Sequence, residues 1–284
     1  MARRKKLEKR RPKMARKIPA KKSEASGHQK PEATPYRVII LPDMQIPYQD
    51  DRALALVERY MADNTWDEWL QMGDFMDFDC ISRFNADAFR KVENMRLASD
   101  YEDANKILDR HQKIVRKNNP DAKFTLLEGN HELRVEKFMD KYQQLEGTLE
   151  VEKCLRLKER GIKWVRCYQK GDNHKIGNAY FTHGISTTAN HASAMVRKFG
   201  TNIYYGHTHD VQSFPLVQMG SEKTLEGMSL GCLCIYQMPY VQKNPTNWQQ
   251  AFAVMYVFPD GFYNLFVVKL FKHRFIAPDG KVYV

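Results

Sequence analysis

The chain has 284 residues, 43% of them hydrophobic and 28% charged, with a formal net charge of +11. That length and apolar content suit one large domain with an appendage and exclude a wholly disordered chain. Residues 1–30 carry 13 Lys and Arg against Glu8 and Glu24, and the remainder carries 32 charges of each sign, so all the net charge sits in the N-terminal segment.

That segment, residues 1–34, is low in apolar residues, broken by prolines and self-repelling, and is expected to be a disordered basic tail. Contact with nucleic acid is its expected role, driven by counterion release and weakened by salt; a solubilising extension or a targeting segment is the alternative. It lacks the apolar run of a secretory signal, and its lysines with an early Glu fit a mitochondrial presequence poorly.

Residues 35–284 read as one domain of strands alternating with helices, an α/β architecture of packed layers. Arg37 to Leu41 is predicted as a strand, Arg52 to Asp63 as a helix, and Glu68 to Met72 as a strand. A long helix is expected over Asp100 to Lys117 and a strand over Phe124 to Leu127. Leu133 to Arg160 reads as a charged helical stretch. Ala179 to Thr182 is then a strand, His191 to Phe199 a helix, and Asn202 to Tyr205 a strand. The final "AFAVMYVFPDGFYNLFVVKL" predicts two strands around a Pro-Asp-Gly turn, expected to belong to a second sheet.

The five cysteines are scattered and odd in number, and Cys232 with Cys234 lacks the spacing of a zinc knuckle or a redox CxxC. No apolar run is long enough to span a bilayer. A reducing cytoplasm and no membrane association are expected.

Five successive predicted strand ends read "LPDMQ", "QMGDFMD", "LLEGNHE", "FTHG" and "YYGHTHD". Each carries Asp, Asn or His, mostly beside glycine, and ligand crevices of open α/β sheets lie beyond such ends. Oxygen ligands mixed with imidazoles suit Mn, Fe or Zn better than Ca or Mg alone. The glycines Gly73, Gly129, Gly184 and Gly206 allow tight turns and close backbone approach.

The ordered set, spanning Asp43 to His209, resembles the calcineurin-like metallophosphoesterase superfamily, whose pattern is D-x-H, GD-x-x-D, GNH-E/D, H and GH-x-H. The later "NWQQAFAVMYV" is similar to certain phage and archaeal members, which would place the protein in a host cytoplasm if phage-encoded. The resemblance implies a four-layer α/β/β/α sandwich of two mixed sheets flanked by helices, with the metal site at strand ends. It also implies two divalent ions, Mn foremost, with Fe, Zn or Mg compatible. Asp74 would bridge them, Asp43 and His209 would hold one, and Asn130, His183 and His207 the other. His131 resembles the general acid, oriented by Asp77.

Two such cations give hydroxide at neutral pH and stabilise phosphoryl charge, and a histidine held by a carboxylate protonates the leaving group. Gln45 stands where the pattern has histidine. One metal site is therefore expected to be weaker, with an amide oxygen at best replacing imidazole.

Arg83, Arg90 and Arg96 follow the second motif; Arg83 is the candidate substrate contact, against the commoner reading of a solvated helix face. His191 is read as a cap or surface residue, as are His28, His111, His174 and His273. The tryptophans Trp66, Trp69, Trp164 and Trp248 are read as core.

The expected function is a metal-dependent phosphoric ester hydrolase, a phosphodiesterase or nuclease acting on nucleic acid or nucleotides. A Ser/Thr-type protein phosphatase or general phosphomonoesterase is the alternative within the enzyme class. A nucleic-acid-binding protein with a vestigial metal site is the alternative outside it.

Overall fold

Val38, Ile39, Ile40 and Leu41 are fully buried although they are consecutive, so the strand that contains them is covered on both faces. Val38 and Ile40 join one hydrophobic cluster and Ile39 and Leu41 another. This alternation fixes the layering of the whole protein. A computed structural model describes residues 34–284 except 86, 218, 221–223, 239–240 and 242–244. The basic segment expected to be disordered lies outside the described residues.

In chain order the first half comprises β1 (Tyr36–Leu41), α1 (Asp51–Asp63), β2 (Glu68–Gln71), α2 (Phe89–Val92), α3 (Leu97–Asn118), β3 (Lys123–Leu127), α4 (Glu132–Lys141) and α5 (Val151–Cys154). There follow β4 (Ile162–Val165), β5 (His174–Ile176), β6 (Ala179–Thr182), α6 (His191–Phe199), β7 (Ile203–Tyr205), β8 (Ser213–Val217) and β9 (Thr224–Ser229). The chain ends with β10 (Ala251–Val257), β11 (Tyr263–Lys269), β12 (Phe275–Ile276) and β13 (Val282–Tyr283). Asp50 caps α1, its carboxylate accepting from the Arg52 and Ala53 amides.

One sheet has the order β11-β10-β1-β2-β3-β4 and the other β5-β6-β7-β9-β8, both mixed. Alternate residues of the first sheet meet Ile176, Ala179, Phe181 and Tyr204 of the second. Its opposite face packs against Leu54, Val57, Ala104, Leu108 and Val115 of α1 and α3. Met195 and Val196 of α6 cover the outer face of the second sheet with Ile203 and Tyr205. The fold is a four-layer α/β/β/α sandwich.

The C-terminal hairpin β10–β11 departs from expectation. It extends the first sheet, with β10 antiparallel to β1 in the register Ile39↔Val254. Its turn signal is local, but the choice of partner depends on the open edge of a strand about 200 residues earlier. The stretch from Leu133 to Arg160 is also not one helix: α4 ends at Lys141, and short turns and α5 follow. The short strands β4, β5, β8 and β9 were not legible, since Lys163, Lys175 and Glu226 interrupt β4, β5 and β9 and Pro215 stands inside β8.

Three histidines read as caps or surface residues are buried. His111 faces Glu58, His174 Nε2 lies 2.6 Å from Glu68 Oε1, and His191 bridges Tyr205 OH at 2.6 Å and Asp210 Oδ2 at 3.0 Å. Each has a carboxylate partner, which the spacing of the sequence does not show. Trp66 and Trp69 are core residues, whereas Trp164 and Trp248 are half-buried.

Candidate metal centre

Because β1, β2 and β3 run parallel, their C-terminal ends share one edge, and the residues that follow them include Asp43, Asp74 and Asn130. Parallel β6 and β7 of the second sheet deliver His183 and His207 from the facing layer. The site thus sits where the carboxyl ends of two sheets meet.

Two groups of ligand atoms converge, each within 4.8 Å of one another: Asp74, His183 and His207, and Asp43, Asp74 and His209. Asp74 belongs to both. Its Oδ2 lies 3.2 Å from His183 Nε2, which is also 3.2 Å from Asn130 Oδ1. Asp43 Oδ1 lies 3.5 Å from His209 Nε2 and accepts from the His207 amide at 3.0 Å.

The local backbone is committed to this arrangement. Eight non-glycine described residues have positive φ, and four of them are Gln45, Asp74, His207 and His209. Such conformations persist where surrounding structure over-determines them, and they cluster at functional sites. Two glycines make room for the carboxylates: a Cβ at Gly129 would meet Asp74 Oδ1 at 2.1 Å, and one at Gly206 would meet Asp43 Oδ2 at 2.1 Å.

Asp43 and Asp74 are fully buried, and every ion pair they make among the described residues is with an imidazole. Buried carboxylates without such compensation are expensive. Burial opposes ionisation of Asp74, yet the imidazoles of His131 and His183 hold its carboxyl well below the usual range. Burial likewise opposes charging of His183, but Asp74 and Asp43 raise it to about 10. His209 is raised to about 9, against burial, by its contact with Asp43. His207 is pushed down to about 4 by burial and by His183. The imidazolium protons thus supply the positive charge that the carboxylates need. His183 and His209 must give up protons to become ligands, so cation binding tightens as pH rises toward those values. The donor set of carboxylates, imidazoles and a carboxamide fits divalent Mn, Fe or Zn.

Gln45 is fully buried, and its Nε2 lies 3.2 Å from Asp74 Oδ2 and 3.3 Å from His209 Nε2. Its Oε1 is buried without a partner. A half-turn of the amide would aim that oxygen at the same acceptors' side of the site, as a neutral ligand weaker than imidazole. Gln45→His is therefore expected to tighten Mn binding, checked by calorimetric titration of the two proteins at the same pH.

His131 Nδ1 lies 3.4 Å from Asp77 Oδ2, and His131 Nε2 lies 3.6 Å from Asp74 Oδ2. Arg134, to which the sequence reading assigned no role, places Nη2 2.8 Å from His131 Nε2 and donates to the Asp77 carbonyl. It lies one helical turn after His131, the spacing at which side chains share a face. Glu132 was also given no role. Its carboxylate accepts from the amides of Asp74 at 2.9 Å, Gly129 at 2.8 Å and Met76 at 3.1 Å, tying two ligand loops together. Burial and Asp74 raise its pKa to about 7. Glu132→Ala leaves three buried donors without an acceptor and is expected to destabilise the protein by about 2–4 kcal/mol, read from urea unfolding midpoints at constant m-value.

Arg83 is not among the converging ligands. It lines a groove of about 610 Å³ that also includes Asn130, Arg134, Lys137 and Lys141. The aromatic side chains Phe84, Phe138 and Tyr142 line the same groove, and Phe84 is 77% exposed. The Phe138 and Tyr142 rings are 4.7 Å apart.

No family model matches the chain. The chain is similar to the gene 54 proteins of two mycobacterial phages. It is 26% identical over 233 residues to that of Mycobacterium phage L5, covering 78% of this chain and 89% of the relative. The phage D29 protein is 26% identical over 231 residues, with the same shares. Among solved structures, zinc-complexed Vps29 from Entamoeba histolytica matches with a TM-score of 0.40 at 11% identity, over 87% of this chain and 95% of that one. A Pseudomonas putida nuclease, MPE, matches with a TM-score of 0.35 at 14% identity, over 82% and 87% respectively. No helix among the described residues is long and apolar enough to cross a membrane.

Proposed function

We propose that the protein is a calcineurin-like metallophosphoesterase that hydrolyses phosphodiester bonds in nucleic acid. The single observation that carries the substrate class is the groove beside Asn130, which combines Arg83, Lys137 and Lys141 with Phe84, Phe138 and Tyr142. Of the rings Phe84 is exposed and Phe138 and Tyr142 are half-buried; cations interleaved with accessible rings bind single strands, the cations taking phosphates and the rings stacking bases.

Asp43, Gln45, Asp74, Asn130, His183, His207 and His209 are the residues that would hold two divalent ions, Mn foremost. Such ions supply a nucleophile at neutral pH and neutralise charge on the phosphoryl oxygens. Asp74 and Asp43 keep the ligand loops charged and in register through the His131 and His207 amides, which donate to them. Asp77 faces Nδ1 of His131, which leaves its other nitrogen on the side of Asp74 and Arg134 as the one to serve a leaving oxygen that needs a proton. Arg134 donates a hydrogen bond to that nitrogen, so Nε2 is unprotonated while the contact lasts, and His131 acts as an acid through it only after the contact opens and Nε2 takes up a proton from solvent. The basic segment of residues 1–30 would raise the local concentration of a polyanionic substrate.

The test is turnover of a single-stranded oligonucleotide, a phosphopeptide and a chromogenic diester in the presence of Mn. Lys137→Glu/Lys141→Glu is expected to raise KM for the oligonucleotide about tenfold or more and leave the small diester nearly unchanged. Equal losses on both would remove the groove from the reading, and preferential phosphopeptide turnover would make the protein a phosphatase. A second reading rests on Gln45, whose Nε2 contacts Asp74 and His209. In it the protein binds nucleic acid through the groove and its metal site is vestigial, which requires no turnover at any Mn concentration.

A further inference from the structure

We propose that Cys232 Sγ, Cys234 Sγ and His209 Nδ1 form a separate site for one thiophilic divalent ion of the zinc class. The site lies on the side of His209 away from Asp43. It does not need the phosphoesterase reading, but it shares His209 with that centre, so both ions are held at once only if the ring gives up both its protons.

The three ligand atoms lie within 4.8 Å of one another, and Cys234 Sγ is 3.9 Å from His209 Nδ1. A tetrahedral zinc ion, with bonds of about 2.3 Å to sulfur and about 2.0 Å to nitrogen, spaces neighbouring ligands about 3.5–3.8 Å apart. Closing the set onto an ion therefore takes movements of about 1 Å or less.

The backbone aims both thiols the same way. The Leu233 amide donates to the Asp43 carbonyl at 2.9 Å and the Ile235 amide to the Tyr48 carbonyl at 2.9 Å. On the other side, the Cys232 amide donates to the Gln249 carbonyl at 3.1 Å and accepts through its own carbonyl from Ala251 at 3.0 Å. In an extended strip stitched on both edges, alternate residues share a face. Leu233 accordingly joins the core under the first sheet, and Cys232 and Cys234 turn toward Met238 and Trp248. The Trp248 ring stands edge-on 4.3 Å from the His209 ring and holds its plane.

Buried cysteines are commonly small apolar fillers. What separates this pair is the imidazole between it and the carboxylates. A metal-binding histidine normally hands its second nitrogen to a carboxylate or carbonyl. Here His209 turns Nε2 toward Asp43 and Nδ1 toward sulfur. Gln45 leaves one imidazole fewer on the Nε2 side, and the cysteines place two sulfurs on the Nδ1 side. Thiolate with imidazole selects zinc, while carboxylate with amide suits Mn or Mg, so the two sides of one ring discriminate between ion classes.

The experiment is an anaerobic titration of the reduced full-length protein with Co2+, followed by absorption and then by displacement with Zn2+. Wild type and Asp74→Asn are expected to develop a thiolate-to-cobalt charge-transfer band that Zn2+ abolishes. Cys232→Ser/Cys234→Ser is expected to lose the band and about one equivalent of bound zinc. Cobalt binding to wild type without charge transfer would overturn the site, and that arm does not depend on any variant folding. Loss of both thiols to diamide with no charge transfer in the reduced protein would overturn it in favour of a redox pair. None of these readouts uses turnover, so a failure of the phosphoesterase reading leaves them unaffected.

Discussion

Asp74→Asn is expected to lower Mn-dependent hydrolysis of a chromogenic phosphodiester by a factor of about 10³ or more, the scale on which preorganised electrostatic groups act. Asp74 is the residue common to both ligand groups, so losing its charge weakens both positions together. Asparagine suits the test because it tolerates the left-handed backbone that Asp74 adopts at φ 47. Its Oδ1 can still accept from the His131 amide, the contact Asp74 makes at 2.9 Å. The fold should therefore persist, with thermal unfolding close to that of wild type, while metal content and turnover fall. Retained Mn-dependent turnover in a folded Asp74→Asn protein would mean that the converging donors do not hold the catalytic ions.

His131→Gln is expected to separate substrates by leaving group. General acid catalysis contributes about 10²–10⁴ in rate where the leaving oxygen is basic. The variant should lose about that much on an oligonucleotide, whose leaving group is an alkoxide, and far less on a nitrophenyl ester, whose leaving group departs without a proton. The geometry makes this division sharp, since His131 has carboxylates near both nitrogens, Asp77 Oδ2 at 3.4 Å and Asp74 Oδ2 at 3.6 Å. Arg134 competes for Nε2 at 2.8 Å, so Arg134→Lys should alter the pH profile of oligonucleotide cleavage before it alters stability. Equal losses on both esters in His131→Gln would show that the imidazole positions the site and does not deliver the proton.

Much of this was legible from residue order. The run Val38 to Leu41 declares a strand buried on both faces, and each polar word after a strand names a residue that ends up in the site. The order works because parallel strands bring their carboxyl ends to one edge, whatever the intervening loops do. Gln45 was legible as an exception because its neighbours filled a pattern that it did not. Arg134 and the cysteine pair were not legible in the same way. Arg134 acts through a contact with His131, and Cys232 and Cys234 reach His209 only because Leu233 is hydrogen-bonded to the Asp43 carbonyl.

The hairpin β10–β11 shows the same limit at the level of the fold. Its turn and its two strands follow from a Pro-Asp-Gly signal and apolar content, both local properties. Its place beside β1 follows from which sheet edge was open when the layers packed. The sequence by itself determined most strands of the central layers and the order of the polar residues that follow them, because backbone preference and side-chain chemistry belong to single residues and near neighbours. Only the tertiary structure decided the division of His209 between carboxylate and sulfur, the partner of Glu132 and the groove beside Asn130. Those depend on contacts between segments far apart in the chain, where burial and hydrogen-bond geometry select the neighbour.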